Sequence, residues 1–327
     1  MMVLAMSILA RSCGAIALFI AFSISQSTAQ TVPTMAWVAN VNANPDRLAI
    51  FKKGLTDHGY GEGRNINIEY RTATLDDDYA PIMAELVASK VDIIVATNAP
   101  AAVAARKATH SIPIVMAAVN DPVGLGLVES LDHPGTNVTG TTMYAPHLIG
   151  ERLRTLQKVV PGLRRVAMLT NGNNVNNQAQ FVILNAQAQA IGIAVQQLDV
   201  RVPSDVEPAF RKAAQFGANG LLNAVDSFIN SQRFAIATLA VQYKLPSVYT
   251  DREYVLAGGL MAIGPGHQEG FHGAADYVDK ILRGANPAEL PVAVTKSVVF
   301  SVSHKVLNQS GLRLPNDIQD RVNDWVD

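Results

Sequence analysis

Polar side chains follow apolar runs at regular places in this sequence. Asn40 and Asn42 come after MAWVA, Thr97, Asn98 and Ala99 after VDIIVA, and Asp121 after IPIVMAAVN. Further along, Asn171, Asn173 and Asn174 follow RVAMLT, Asp226 follows GLLNAV, and Asp251 follows LPSVYT. Amides, backbone N–H groups and one or two carboxylates suit a small zwitterion: N–H groups at a helix start take its carboxylate, and an Asp takes its ammonium. Each of these residues alone equally suits a strand end or a helix cap, so only their joint position favours a site. Pro100 fits the first turn of a helix, where its missing N–H costs nothing. The stretch VDIIVATNAPAAVAARKAT therefore reads as a buried strand running into a helix through a turn that caps, binds, or does both.

Signatures of catalysis and metal binding are missing. There is no GxSxG elbow and no HExxH, and the dipeptide Gly-Lys never occurs, which excludes a P-loop. GYGEGRN (59–65) lies between a helix and the next strand, the wrong side of a βα unit for a dinucleotide, and reads as a connecting turn. His267 and His272 are five apart and share no helical face well enough for a metal pair. Asp76-Asp77-Asp78 lacks the glycine and distal carboxylate of a calcium loop and reads as a charged helix start. No catalytic residue, metal or cofactor is expected. Aromatic side chains near strand ends offer stacking surfaces: Trp37, Tyr144, Phe228, Tyr249 and Tyr254, with Phe228 the first choice because it follows Asp226 by two residues.

The elements that must position these residues alternate. MAWVAN precedes DRLAIFKKGLTDHGY, NINIEYR precedes YAPIMAELVASK, VDIIVAT precedes APAAVAARKAT, and IPIVMAAV precedes DPVGLGLVES. The pattern restarts with a helix at 146–159 and the runs RVAMLT, IAVQQLDV, GLLNAVD and LPSVYTD, again separated by helical stretches. HGAADYVDKILRG reads as one more helix and VAVTKSVVFS as one more strand. This predicts an α/β protein of two doubly wound parallel-sheet lobes joined by a multi-strand hinge. Lobe 1 is expected at 30–143 plus about 267–292, and lobe 2 at about 144–266 plus 293–327. Ligands of such sheets bind beyond the carboxyl ends of the strands, where facing lobes would gather the polar residues into one cleft.

Composition fits an exported globular chain. Of 327 residues 49% are apolar, 16% charged and 6% aromatic, and the formal charge of −1 with no Lys/Arg stripe speaks against a nucleic-acid partner. After Arg11, GAIALFIAF followed by SISQSTAQ has the order of a secretory signal, predicted to be cut after Ala29 at residues 1–29. The single Cys, Cys13, falls inside that signal, with Arg11 too close for a lipid-attachment site. The mature chain would carry 25 basic and 27 acidic residues and be soluble in the periplasm.

Four segments, FKKGLTDHGYGEGRNINIEYR, LVASKVDIIVATNAPAAVAARKATHSIPIVMAAVNDPVGLGLVESLDHPGTNVTG, VPGLRRVAMLTN and YVDKILRGANPAELPV, together resemble the tryptophan-type ABC transporter substrate-binding proteins. The resemblance covers nearly all of the mature chain. It implies the type I periplasmic-binding fold, a monomer that closes about a hinge on a small molecule such as an amino acid or aromatic carboxylate, and delivery to an ABC permease with a cytoplasmic ATPase. Carried over, the turn Thr97-Asn98-Ala99 would bind a carboxylate and Asp226 an amino group; the strand-end positions add Asn40, Asn42, Asp121, Asn173, Phe228 and Asp251 to the expected site. Asn98-Ala99 departs from the small or hydroxyl residues usual in the family turn, and the last segment reads SVVFSVSHKVLNQSG rather than ELVVNLKTAKALG. The same fold also serves ligand-sensing modules of membrane receptors, and an exported α/β enzyme is the remaining alternative.

Overall fold

Short β-branched runs followed by capped helices fold here as parallel βα units. The computed structural model describes residues 32–327 apart from 76 and 77, so the predicted signal at 1–29, Cys13 and the Asp76-Asp77 pair lie outside the described residues. The first set of elements is β1 (Thr34–Asn40), α1 (Pro45–Asp57), β2 (Asn67–Ala73), α2 (Tyr79–Ser89), β3 (Ile93–Ala96), α3 (Ala99–Ala108), β4 (Ile114–Val119) and β5 (Val138–Thr142). A second set follows: α4 (His147–Val159), β6 (Arg165–Thr170), α5 (Val175–Gln189), β7 (Ala194–Asp199), α6 (Val206–Phe216), β8 (Gly220–Asn223), α7 (Ser227–Ser231) and α8 (Arg233–Gln242). It continues through β9 (Ser247–Tyr249), α9 (Arg252–Leu256) and β10 (Met261–Pro265). The chain ends with α10 (His267–Leu282), β11 (Ala293–Val294), β12 (Val298–Ser303), α11 (His304–Ser310), α12 (Asn316–Gln319) and β13 (Asp324–Val326).

Among the described residues these strands form two sheets. The first has the order β11-β5-β4-β3-β1-β2 and is parallel throughout. The second has the order β13-β12-β10-β9-β8-β6-β7 and is parallel except where β10 meets β12. Strands buried on both faces must be apolar throughout, which is why VDIIVA contains Ile93–Ala96 with every side chain buried. In the first lobe, Tyr79, Met83 and Leu86 of α2 pack with Ala101 and Ala105 of α3 on one face. Phe51 and Leu55 of α1 pack with Phe271 and Ala274 of α10 on the other. The second lobe repeats this, with Leu153 and Leu156 of α4 on one face and Phe210, Ile236 and Tyr254 on the other.

The chain passes between the sheets at residues 143–146, at Gly266 and at 295–297. These crossings are bonded together: Gly266 N–H donates to the Ser297 carbonyl at 2.9 Å, and the Glu269 carboxylate accepts from the Lys296 and Ser297 N–H groups and the Ser297 hydroxyl. The third crossing splits VAVTKSVVFS, which sequence reads as one strand, into β11 and β12. Ala293 and Val294 pair with Thr141 and Thr142 of β5, so they belong to the first sheet rather than to the second lobe. DPVGLGLVES is also not a helix. Pro122 and Gly124 break it into turns, Asp121 adopts φ 45°, and its carboxylate accepts from Gly124 N–H at 3.0 Å. β5, at VTGTT, had no counterpart in the sequence reading.

Gly54 lets α1 lie against α10. A Cβ there would meet the Ala275 Cβ and the His272 carbonyl oxygen, each at 2.8 Å. Gly54→Val is expected to push the two helices apart and cost about 1–3 kcal/mol, read from urea unfolding. An unchanged urea midpoint would show that α10 shifts freely and that this contact does not hold it.

Candidate functional site

Between the carboxyl ends of the two sheets lies a cavity of about 130 Å³. An engineered apolar cavity of about 150 Å³ accepts benzene, so this volume suits a body the size of one ring. Ala118 and Met143 from the first lobe and crossing, and Ile149 and Ile183 from α4 and α5, supply apolar wall. Tyr144, on the first crossing, also lines it.

Six of the ten residues expected to form the site line this cavity: Thr97, Asn98, Ala99, Asp121, Asp226 and Asp251. Most also hold local structure. The Thr97 hydroxyl donates to the Val38 carbonyl at 3.0 Å, tying β3 to β1. Asn98 caps α3, its Oδ1 accepting from Ala101 N–H at 2.9 Å while its Nδ2 donates to the Tyr79 hydroxyl at 2.8 Å. Asp226 caps α7 through Ile229 N–H at 2.9 Å and accepts from Asn174 Nδ2 at 2.8 Å and, more distantly, from Asn171 Nδ2. Burial pushes the Asp226 carboxyl above the usual carboxylate range, and these donors only partly offset it.

Four residues fall elsewhere. Asn40 and Asn42 line a smaller adjoining crevice that shares Arg47, Thr97, Asn98, Ser227 and Asn230 with the main cavity. Asn173 is exposed, and its neighbour Asn174 turns inward instead because its side chain caps α5. Phe228 is buried in the core beneath the second sheet. As the second residue of α7 it faces the helix's packed side, whereas its cap Asp226 faces the opening. Of the other aromatics, Tyr249 and Tyr254 stack in the same core at 4.6 Å and Trp37 packs on Phe51 at 4.8 Å, leaving Tyr144 on the wall.

Three basic side chains on the wall were not legible from spacing. Arg47, on α1, donates from Nε to Glu253 at 3.0 Å and from Nη2 to Asp251 at 3.2 Å. His267 Nε2, at the start of α10, lies 2.8 Å from Asp251 Oδ2, the same oxygen that Arg47 reaches. Arg47 and His267 belong to helices of the first sheet, and Asp251 and Glu253 to the second lobe, so this cluster latches the lobes across the cleft. Arg233 adds a bond from Nη1 to the Asn42 carbonyl at 3.2 Å. Burial alone would raise the Asp251 carboxyl, but His267 and Arg47 hold it well below the ordinary range. Ligating atoms of Asp251, Glu253 and His267 lie within 4.8 Å of one another, a spacing open to a metal, yet the Arg47 guanidinium already bonds to both carboxylates.

Arg152 is the third. It sits on α4 with 3% exposure, and its Nε donates to the Ile263 carbonyl at 2.7 Å. Burial lowers its pKa to about 10, which leaves it charged at neutral pH. In the sequence it stands within HLIGERLRTLQKV, where an arginine reads as part of a solvated face.

No helix among the described residues is long and apolar enough to cross a membrane. Comparison with known proteins agrees with the geometry. The tyrosine-binding protein of Clostridioides difficile is 30% identical over 271 residues, spanning 81% of this chain and 77% of the relative. A conserved domain protein of Vibrio cholerae superposes with a TM-score of 0.84 at 27% identity, covering 90% of this chain and all of that one. An ABC domain from Streptococcus pneumoniae, solved in complex with L-Trp, gives a TM-score of 0.83 at 22% identity, covering 90% and 99% of the two chains. The profile of the ABC transporter substrate binding proteins matches residues 43–325. With two doubly wound sheets facing one another across a polar-ended cavity, the chain belongs to this family of substrate binding proteins and has the type I periplasmic-binding fold.

Proposed function

We propose that the protein is the solute-binding subunit of an ABC importer. It is exported to the periplasm with its signal cut near Ala29, works as a monomer without catalysis or cofactor, and captures an amino acid or an aromatic carboxylate. It then delivers the solute to a permease driven by a cytoplasmic ATPase. The observation that carries this reading is the ring-sized cavity lined from both lobes, with Thr97, Asn98, Ala99 and Asp121 on one wall and Asp226 and Asp251 on the other. The 30% identical tyrosine-binding relative supports the solute class. The lobes divide at residues 143–146, 266 and 295–297, and these crossings act as the hinge.

A solute touching both walls favours the closed form by its differential affinity for that form, so binding and closure are one equilibrium. Mass spectrometry of protein purified from its native compartment is expected to reveal a co-purified small acid or amino acid. Removing that solute and then restoring it should lower and recover a compact small-angle scattering profile. A stripped protein whose scattering does not change on saturation would mean a rigid unit and would remove hinge closure from this account.

A further inference from the structure

Resting on the solute-binding reading, we propose that Arg152 is the carboxylate anchor of the cavity. Its Nε is committed to the Ile263 carbonyl, but among the described residues neither Nη group has a hydrogen-bond or ion-pair partner. The acids near it are engaged elsewhere: Glu151 bonds to Arg321, and Asp251 is held by Arg47 and His267. A cation this buried, 3% exposed, is costly without a close counter-charge, and the residue lines the cavity, where a solute carboxylate would supply one. The guanidinium fork presents its remaining donors in the planar geometry that matches a carboxylate.

The turn before α3 is the weaker receptor. Pro100 has no N–H and Ala101 N–H is taken by the Asn98 cap, so the turn offers the neutral N–H groups of Asn98 and Ala99, without the full charge that Arg152 brings. Arg152 and Asp226 both belong to the second lobe and both line the cavity, which offers an α-amino acid one anchor for its carboxylate and one for its ammonium. The ring then lies toward Ala118, Met143 and Ile183.

The test pairs each acid with a partner lacking the carboxylate: L-tyrosine with tyramine, and 3,4-dihydroxybenzoate with its amide. Titration calorimetry and thermal unfolding of the full mature protein are expected to show at least one acid bound, with its partner weaker by on the order of tenfold to a hundredfold. Arg152→Gln should remove that advantage, and Arg152→Lys should retain part of it. If Arg152→Gln does not fold, the acid and partner comparison on the unaltered protein decides. Equal affinity within a pair, or undiminished acid binding by a folded Arg152→Gln variant, overturns the anchor. Binding of tyramine or the amide without either acid overturns the anchor and leaves the solute-binding reading standing. Failure of all four compounds also overturns the anchor for ring-sized acids, whereas the solute-binding reading falls only if, in addition, no solute co-purifies.

Discussion

Replacing Arg47 with Met is expected to open the molecule and weaken solute binding on the order of a hundredfold. Arg47 bonds to Glu253 and Asp251 with side-chain exposures of 15%, 5% and 14%, so its removal leaves two largely buried carboxylates short of a counter-charge. Breaking a buried pair by deleting one partner costs about 3–5 kcal/mol. His267 still holds Asp251, and Asn230 and Arg233 still reach Glu253, which puts the expected cost at the lower end. Because the partners come from different lobes, the loss falls on the closed form. About 3 kcal/mol there is a shift of roughly a hundredfold in the closing equilibrium and hence in Kd. Scattering should show the variant needing on the order of a hundredfold more solute than the unaltered protein to reach the compact profile, and calorimetry a correspondingly weaker Kd. The latch also sets an acid limit. The Asp251 carboxyl is lowered in the folded protein, so its contribution is complete above the unfolded carboxylate value near pH 4 and is lost as pH falls further toward its folded value. Compactness and affinity equal to those of the unaltered protein would reduce the latch to surface decoration.

The parts legible in the sequence were those written by local rules. A run such as VDIIVAT ending in Asn98-Ala99-Pro100 carries its strand, its cap and its helix start within a few residues, and the structure has all three. The repeated alternation fixed the α/β class in the same way. What escaped depended on distant partners. β11 is two residues long and exists only because Thr141 and Thr142 pair with it, so nothing in VAVTKSVVFS marks its end. DPVGLGLVES has the apolar content of a helix, and only its Pro and Gly positions tell of turns. Arg47 and Arg152 lie on amphipathic helices whose polar residues normally meet water, and that one meets the opposite lobe and the other a cavity is decided by how the lobes face. Phe228 failed to reach the cleft for a helical reason: two residues beyond a cap that faces the opening, the side chain turns to the packed side.

Asp226→Asn is expected to separate the two solute classes still open for this cavity. The Asp226 carboxylate receives Ile229 N–H and the amides of Asn171 and Asn174, all neutral donors, and burial pushes its carboxyl upward. No cation is among its hydrogen-bond partners, so an ammonium on the solute would supply the missing charge. The Asn variant keeps the shape and its Oδ1 can still cap Ile229, but its Nδ2 meets the Asn174 amide, whose Oδ1 is committed to Asn176 N–H, so one buried hydrogen bond is lost. Stability should fall by about 1–2 kcal/mol, and the charge-assisted bond to an ammonium is lost as well. That bond is worth roughly 1.5–3 kcal/mol, on the order of tenfold to over a hundredfold in Kd. L-Tyrosine carries the ammonium and should lose that much. 3,4-Dihydroxybenzoate lacks it and should bind the variant as well as or better than the unaltered protein, since a like charge has been removed from the wall. Melting curves recorded beside the titrations separate affinity from folding. Equal losses for both compounds, or none for tyrosine in a folded variant, would leave Asp226 as the cap of α7 and assign the ammonium, if the solute has one, to another carboxylate such as Asp121.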